Sequence, residues 1–342
     1  MAKLQLGDIS VNFVRVMQDA MRQYQVNPTP LFEPYGISEE LLSTPKARIS
    51  IPKFMRLGRT AIEATNEPAL GLVMGAHTRI SHAGLPGFAA MTAPTLGRAL
   101  STLIHFERLG SQNQRGYSQF YQETQPSQGV AHFYSISPYN EYNFFVVDLM
   151  LSSWLHLARW LTGHTRLVKE VQIEYPKPSY HSRHEELFQC PVHFNQERNA
   201  LLFSSSSLQL PTLYASPPTH GEAIAACNAE LLEITRTQSL KGRVTTLIGP
   251  LLQGRTPNMA DVAAQLGITP WTLRRKLQRE GVTFQDLLEE TRRSLAESYV
   301  RDTELTFGEI AFRLGFSSPA AFHRAFRRWT SVSPGTFRGR EG

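Results

Sequence analysis

A short basic stretch, GITPWTLRRKLQREG at residues 267–281, holds the side chains whose types and spacing point most clearly to chemistry. Four of its fifteen residues are basic, namely Arg274, Arg275, Lys276 and Arg279, and Trp271 stands just before them. Cationic side chains bind phosphate oxygens, and arginine can also form a bidentate bond to guanine in the major groove. The stretch therefore indicates a polyanion such as double-stranded DNA as the partner, with a solvated basic face as the alternative.

A similar pattern returns in a second basic stretch, GFSSPAAFHRAFRRW, at residues 315–329. Residues 261–267 match residues 309–315 at a shift of 48, and residues 269–277 match residues 318–326 at a shift of 49. Each copy reads as a short helix, a glycine turn and a second helix with a basic face, which is a helix-turn-helix arrangement. Two such units in one chain predict contacts with two successive major-groove segments about 10 bp apart.

The helices that must position these basic residues carry clear start and stop signals. Thr269-Pro270 and Ser318-Pro319 each place a capping hydroxyl before a proline at the first helical position. Gly267 and Gly315 each follow a leucine at a helix end, where a left-handed residue is favoured. The predicted inward faces are apolar: Leu273, Leu277, Phe322 and Phe326 on the second helices, and Leu287, Leu288, Leu295 and Tyr299 on the helix between the copies.

The net charge of +6 is concentrated in the last third of the 342 residues. From residue 236 onward there are 17 Lys and Arg residues against 10 Asp and Glu residues, whereas residues 1–235 contain 18 against 19. A basic module joined to a nearly neutral one suggests a nucleic-acid-binding domain attached to a domain with another task.

Composition narrows the class of protein and its compartment. Two cysteines, Cys190 and Cys227, argue against a disulfide framework and fit a reducing cytosol. The longest apolar stretch, residues 144–151, is interrupted by Asp148 and is far shorter than a membrane span, and the start MAKLQLGDIS lacks the apolar segment of a signal peptide. These observations predict a cytoplasmic protein that has no membrane partner.

The residues before the basic module predict an α+β domain over residues 1–215. Residues 1–110 read mainly as helices, and strands are expected at 117–121, 130–136, 168–175, 192–195 and 200–203, with a helix at 148–161 between them. Residues 215–221 break both kinds of element. The linker at 216–239 follows the domain, and residues 222–235 of it form a connecting helix. Its apolar stripe of Ile224, Cys227, Leu231 and Ile234 could pack on either domain or on a second subunit. Residues 240–342 then form an all-α domain with the two helix-turn-helix units.

One cluster competes with the DNA-binding interpretation. His181, His184, Cys190 and His193 form the pattern H-x2-H-x5-C-x2-H, which contains four potential zinc ligands and would suit a metal sensor or metalloenzyme. Short Cys/His patterns match by chance, and alternation in the apparent strand PVHF points His193 away from its neighbours. We therefore expect no metal and no other cofactor. The common motifs of nucleotide-binding proteins, hydrolases and metalloproteases are missing from the sequence, and we expect no enzymatic activity.

A family resemblance supports the DNA-binding interpretation. Residues 240–340 resemble the DNA-binding module of the AraC/XylS family of bacterial transcription regulators, most strongly in the stretch IAFRLGFSSPAAFHRAFRRWTSVSPGTFR. The stretches HAGLPGFAAMTAPTLGRAL at 82–100 and LFQCPVHF at 187–194 resemble the sensor domain of one AraC subfamily, which is called an arabinose-binding type and differs from the cupin of the arabinose regulator.

The resemblance implies roles for individual residues. Base contacts in the first unit would come from Trp271, Arg274 and Arg275, and in the second unit from Pro319, Ala320, Ala321, His323 and Arg324. Phosphate contacts are expected from Lys276, Arg279, Arg327 and Arg328. Because the first three positions of the second set cannot donate hydrogen bonds from their side chains, specificity is expected to rely more on the first unit.

The resulting interpretation is a sequence-specific DNA-binding transcription regulator, favoured as an activator that responds to a small-molecule effector. The resemblance implies that the N-terminal domain binds the effector and that the partners are double-stranded DNA, RNA polymerase and a second copy of the chain. Two alternatives stay open at this point. One is a ligand-independent regulator controlled by protein partners, and the other is a metal sensor that uses the His181/His184/Cys190/His193 cluster.

Overall fold

The computed structural model describes residues 8–112, 116–125, 127–135, 144–237, 240–252, 254–302 and 305–339. Within these ranges, the N-terminal part combines helices with a five-stranded sheet, and the part from residue 240 onward consists of helices and their connections. The expected fold class, an α+β domain followed by an all-α domain, is confirmed.

The segment before the main sheet is built from helices and a small two-stranded sheet. Its elements are β1 (Asp8–Ser10), α1 (Val11–Gln23), α2 (Thr29–Phe32), α3 (Glu39–Ser43), β2 (Arg48–Ser50), α4 (Ile51–Thr65), α5 (Leu70–Ala76), α6 (Gly84–Met91), α7 (Leu96–His105) and α8 (Glu107–Gly110). The side chains of Ser10, Ser50 and Thr95 cap α1, α4 and α7 by accepting a backbone N–H of the first turn. β1 and β2 pair antiparallel, which ties the start of α1 to the start of α4.

The main sheet follows in the chain. Its segment contains β3 (Gly116–Thr124), β4 (Ser127–Ser135), α9 (Phe144–Thr162), β5 (Val168–Gln172), α10 (His181–Phe188), β6 (Val192–His193), β7 (Asn199–Ser204) and α11 (Ser205–Leu208). The strand order is β3-β4-β7-β5-β6, in which β5 and β6 are parallel and the other neighbours are antiparallel.

The five expected strands are present, but two are shorter than the sequence indicates. β5 ends at Gln172, and two residues later the Glu174 N–H donates to the side-chain oxygen of Asn199 at 2.9 Å. β6 covers only two residues, and Ile136, the expected end of the second strand, lies outside the described residues.

The core helix of the N-terminal domain is α9. Its residues Leu151, Leu155 and Ala158 are completely buried and belong to the same core cluster as Ala131 of β4 and Leu201 of β7. Among the described helices, α9 is the one that is long and apolar enough to cross a membrane, and most of it is buried inside the protein. Its apolar composition accords with this central position, because burial of apolar surface is the main favourable contribution to folding.

The connecting helix α12 (Pro217–Thr237) begins earlier than the sequence analysis predicts. Residues 215–221 were expected to break every element, but Pro217 is the first residue of the helix, a position where its fixed φ and missing N–H are tolerated. The apolar stripe packs on the N-terminal domain, since Cys227 and its neighbour Ala223 share a buried cluster with Ala89 and Phe106. Of the packing partners that the sequence allows for this stripe, the structure shows the N-terminal domain.

The C-terminal domain is a bundle of short helices around one longer helix. Its elements are α13 (Leu240–Leu251), α14 (Met259–Gln265), α15 (Pro270–Arg279), α16 (Phe284–Asp302), α17 (Phe307–Arg313), α18 (Pro319–Thr330) and α19 (Pro334–Arg338). The eight residues expected to face inward are all buried in a single core cluster. α14 and α15 form the first helix-turn-helix unit, α17 and α18 form the second, and α16 joins them.

Candidate DNA-binding interface

The two helix-turn-helix units are set up by the same local chemistry. Thr269 caps α15 by accepting the Thr272 N–H at 3.2 Å, and Ser318 caps α18 by accepting the Ala321 N–H at the same distance. In the turns that precede these helices, Gly267 has a φ of +66° and Gly315 has a φ of +65°. The predicted caps and left-handed glycines are confirmed, and they fix where each second helix begins.

The buried face of α15 determines which of its side chains point outward. Leu273 and Leu277 are buried in the domain core, which places the basic side chains on the other faces of the helix. All four of these side chains are exposed: Arg274, Arg275, Lys276 and Arg279. α15 therefore presents a cationic surface that is available to a polyanion.

Trp271 lies on the surface of the first turn of α15. The residue is 65% exposed, so it does not belong to the core. The guanidinium carbon of Arg275 lies 4.5 Å from the centre of the indole ring, which is a cation–π contact. This contact restricts the Arg275 side chain and places an aromatic surface and a bidentate donor side by side at the start of the helix.

The second helix of the second unit presents a different surface. Pro319, Ala320 and Arg324 are exposed, while Ala321 and His323 are half-buried. The ring of His323 packs edge-on against Phe307 of α17, with 5.1 Å between ring centres. Phe322 and Phe326 are completely buried and fix the helix in the core. The start of α18 is therefore mostly apolar, and it offers fewer hydrogen-bond donors than α15.

The two arginines near the end of α18 differ in their contacts. Arg327 is exposed, whereas Arg328 donates to Glu289 of α16 at 2.7 Å. The Trp329 indole N–H donates to the same carboxylate oxygen at 3.1 Å. Of the four residues expected to contact phosphate, Arg328 is thus the one that carries an ion pair among the described residues.

Comparison with known proteins establishes the family. A profile described as "Arabinose-binding domain of AraC transcription regulator, N-term" matches residues 26–212, and a profile described as "Helix-turn-helix domain" matches residues 262–340. The first of these matches covers more than half of the chain. The chain belongs to the AraC family of transcription regulators.

Relatives resemble this AraC-family protein along nearly its whole length. The ornithine utilization regulator of Pseudomonas aeruginosa is 29% identical over 332 residues, which cover 96% of this chain and 96% of that protein. The HTH-type transcriptional regulator VirS of Mycobacterium tuberculosis is 25% identical over 334 residues, which cover 95% of this chain and 94% of that protein. Among solved structures, the transcriptional regulator CdpR from Pseudomonas aeruginosa is 22% identical and covers 94% of this chain and 97% of that chain, with a TM-score of 0.45. The family membership and the double helix-turn-helix make this chain a DNA-binding transcription regulator.

The described residues of this AraC-family protein do not support the metal-sensor alternative. Within the described ranges, no three His, Cys, Asp or Glu side chains are grouped so that they could hold a metal ion. His184 points inward from α10 and is completely buried, whereas His193 on β6 is exposed. His181 lies on α10 with its Nδ1 at 3.2 Å from the Pro178 carbonyl oxygen, and burial raises the pKa of the Cys190 thiol to about 11. The four residues follow a ligand spacing in the sequence, but the fold directs their side chains differently.

One member of the candidate metal cluster, His184, instead belongs to a buried polar network around Asp148. The carboxylate of Asp148 on α9 accepts hydrogen bonds from the hydroxyls of Tyr175 and Tyr180, and its Oδ1 lies 2.9 Å from the Nε2 of His184. Burial raises the pKa of both tyrosines, and the negative charge of Asp148 adds to the effect. The network fastens α10 to the core helix. In the sequence, this network is indicated by Asp148, the carboxylate that interrupts the apolar stretch at 144–151.

Proposed function

We propose that this AraC-family protein is an effector-responsive activator that reads two successive major-groove segments, one with each helix-turn-helix unit. One observation carries the proposal. Two units with exposed basic residues on their second helices are joined to an N-terminal domain that has its own hydrophobic core. An arrangement of this kind allows a ligand that binds one domain to change the population of states that are competent in the other.

We assign the base contacts of the first unit to Trp271, Arg274 and Arg275. In the second unit we assign Pro319, Ala320, Ala321, His323 and Arg324 to the same role. The exposure of Pro319 and Ala320 supports contact with thymine methyl groups, which an apolar side chain can recognise. The first unit would then supply most of the hydrogen-bonded specificity, and the second unit would add apolar contacts.

We assign the phosphate contacts to Lys276, Arg279, Arg327 and Arg328. The first three are exposed, and the ion pair of Arg328 with Glu289 is itself partly exposed. Exposed ion pairs contribute little free energy. Arg328 would therefore lose little stability by leaving Glu289 to bind a DNA phosphate. DNA binding should accordingly weaken with salt, with a slope of log K against log salt of about −0.9 for each phosphate contact.

The N-terminal domain is proposed to bind a small-molecule effector, in line with its match to a family of arabinose-binding domains. The test is a thermal-shift screen of the full chain against arabinose, ornithine, other amino acids, polyamines, fatty acids, aromatic acids and zinc. We expect one organic compound to raise the unfolding temperature, because a ligand at 100 times its Kd adds about 2.7 kcal/mol of stability. The same shift is expected in the Arg275→Ala variant, whose substitution lies in the other domain.

The compound must also act on transcription. We expect it to change promoter occupancy or transcript level in a reconstituted reaction with RNA polymerase. A compound that stabilises the protein but leaves both unchanged would contradict effector control. If no compound stabilises the protein, the alternative of a ligand-independent regulator controlled by protein partners is favoured, and the DNA-binding assignment is unaffected.

The remaining partners follow from the same proposal. We propose that the chain acts as a homodimer in the cytoplasm, that it contacts RNA polymerase at its promoters and that it catalyses no reaction. The similarity to transcription regulators of bacteria supports the contact with RNA polymerase.

A further inference from the structure

A buried arginine lies between the two helix-turn-helix units. Arg292 on α16 is only 7% exposed. Its Nε donates to the Leu314 carbonyl at 2.9 Å, and its Nη2 donates to the Gly315 carbonyl at 2.8 Å and to the Thr256 hydroxyl at 2.7 Å. We call these four residues the arginine clamp.

The arginine clamp joins three segments that are distant in the sequence. Arg292 belongs to the helix between the units, Leu314 and Gly315 form the turn of the second unit, and Thr256 belongs to the loop that leads into the first unit. Thr256 also donates its hydroxyl hydrogen to the Gly315 carbonyl at 3.0 Å. The loop and the turn are therefore bonded directly to each other as well as to the arginine.

The contact between the loop and the turn is close as well as polar. A Cβ atom added at Gly315 would lie 2.3 Å from the carbonyl oxygen of Arg255, so the two backbones approach as near as a glycine allows. On the other side, the guanidinium carbon of Arg292 lies 4.9 Å from the ring centre of Phe316. The guanidinium is thus held by stacking and by hydrogen bonds in one orientation.

The geometry of the clamp requires the planar, charged side chain of arginine. A buried cation that is bonded to neutral oxygens costs desolvation free energy, and burial lowers the pKa of Arg292 accordingly. The planar guanidinium holds its N–H donors at fixed angles that match the three oxygens. The ammonium group of lysine has no such planar set of donors. A residue of this kind contributes more to one defined geometry than to stability alone.

We propose that Arg292 is a positioning residue for DNA recognition. It locks the turn of the second unit onto the loop of the first unit, so that α15 and α18 meet two groove segments at one fixed spacing. The inference rests on the proposed reading of two segments. The new element is that the residues of the arginine clamp determine the spacing preference, although they need not touch DNA.

The test measures spacing preference with the full chain. A site selected by the wild-type protein is rebuilt with one base pair inserted or removed between its two segments, and a probe with only one segment is added. Each change rotates one segment by about 34° relative to the other. We expect the wild-type protein to prefer its own spacing by at least about tenfold, because rigidly linked sites bind well only when both can be engaged together.

Two variants then probe the arginine clamp. Arg292→Met should reduce the spacing preference to about twofold or less, while its affinity for the one-segment probe changes by less than about twofold. Arg292→Lys should restore part of the preference. Thr256→Val removes both hydrogen bonds of the hydroxyl of this exposed residue, and it should lower the preference even if Arg292→Met fails to fold. Thr246→Val is the matched control and should behave like the wild type, because the Thr246 hydroxyl donates to the Gly242 carbonyl of its own helix at 3.0 Å.

Three results would overturn the proposal. In the first, Arg292→Met and Thr256→Val keep the full spacing preference. In the second, both variants lose affinity for one-segment and two-segment probes in the same proportion, as expected for a purely structural role. In the third, the wild-type protein shows no spacing preference, which would refute the two-segment reading itself and the positioning role with it.

Discussion

Replacing Arg275 with alanine is expected to relax the sequence preference of the protein while leaving most of its affinity for random DNA. Arg275 is exposed on the first turns of α15, and its guanidinium is held against Trp271. A bidentate arginine contact contributes about 1–3 kcal/mol of discrimination between bases, so the ratio of specific to random binding should fall by about 5- to 150-fold. Arg274→Ala is expected to act in the same direction.

The matched control for this result is Arg327→Ala on the other second helix. Arg327 is exposed near the end of α18, where a phosphate contact is proposed. Its loss should weaken specific and random binding alike and reduce the salt slope by about 0.9. Equilibrium titrations of a selected site, its single-base variants and random duplex at several salt concentrations distinguish the two behaviours. Equal losses on specific and random DNA for Arg275→Ala would refute its assignment as a base contact.

The second large effect is expected from the turn glycines, because Gly267 and Gly315 occupy the same place in the two units but have different surroundings. Both have a positive φ, which costs a non-glycine residue about 1–2 kcal/mol. A Cβ at Gly267 would meet nothing within 4 Å, whereas a Cβ at Gly315 would lie 2.3 Å from the Arg255 oxygen and 2.7 Å from its carbonyl carbon. Gly315→Ala should therefore cost about 1–3 kcal/mol more than Gly267→Ala.

Hydrogen exchange of the amides in α14 to α18 measures this difference, because it reports the stability of the C-terminal domain separately from the rest of the chain. Gly267→Ala should lower protection modestly, and Gly315→Ala should lower it much further. The affinity for a two-segment site should fall in the same order. If the two variants lose equal protection, the close contact between the loop and the turn does not exist in solution.

The parts of this structure that the sequence predicted well are those determined by local chemistry. A threonine or serine before a proline, and a glycine after a helix, define helix ends through contacts within four residues. The caps at Thr269 and Ser318 and the turns at Gly267 and Gly315 were therefore predictable. The same signals placed the exposed face of α15, because Leu273 and Leu277 had to point inward.

The parts that were missed depend on contacts between distant residues. The arginine clamp joins Arg292 to Thr256, 36 positions away, and no periodicity in the sequence distinguishes Arg292 from the exposed arginines. The alternative of a metal cluster has the complementary weakness: its four candidate ligands are close in the sequence, but spacing did not determine which way their side chains point. His184 turned inward to Asp148, 36 positions earlier in the chain.

The most direct test of the central claim is selection of binding sites by the full-length protein from random duplexes three helical turns long. The account predicts two enriched blocks whose centres lie about 10 bp apart, on one face of the helix. The block that contacts α15 should carry the stronger base preference, since Arg274 and Arg275 supply its donors. A single enriched block, or two blocks at variable spacing, would contradict the claim that one chain reads two successive groove segments.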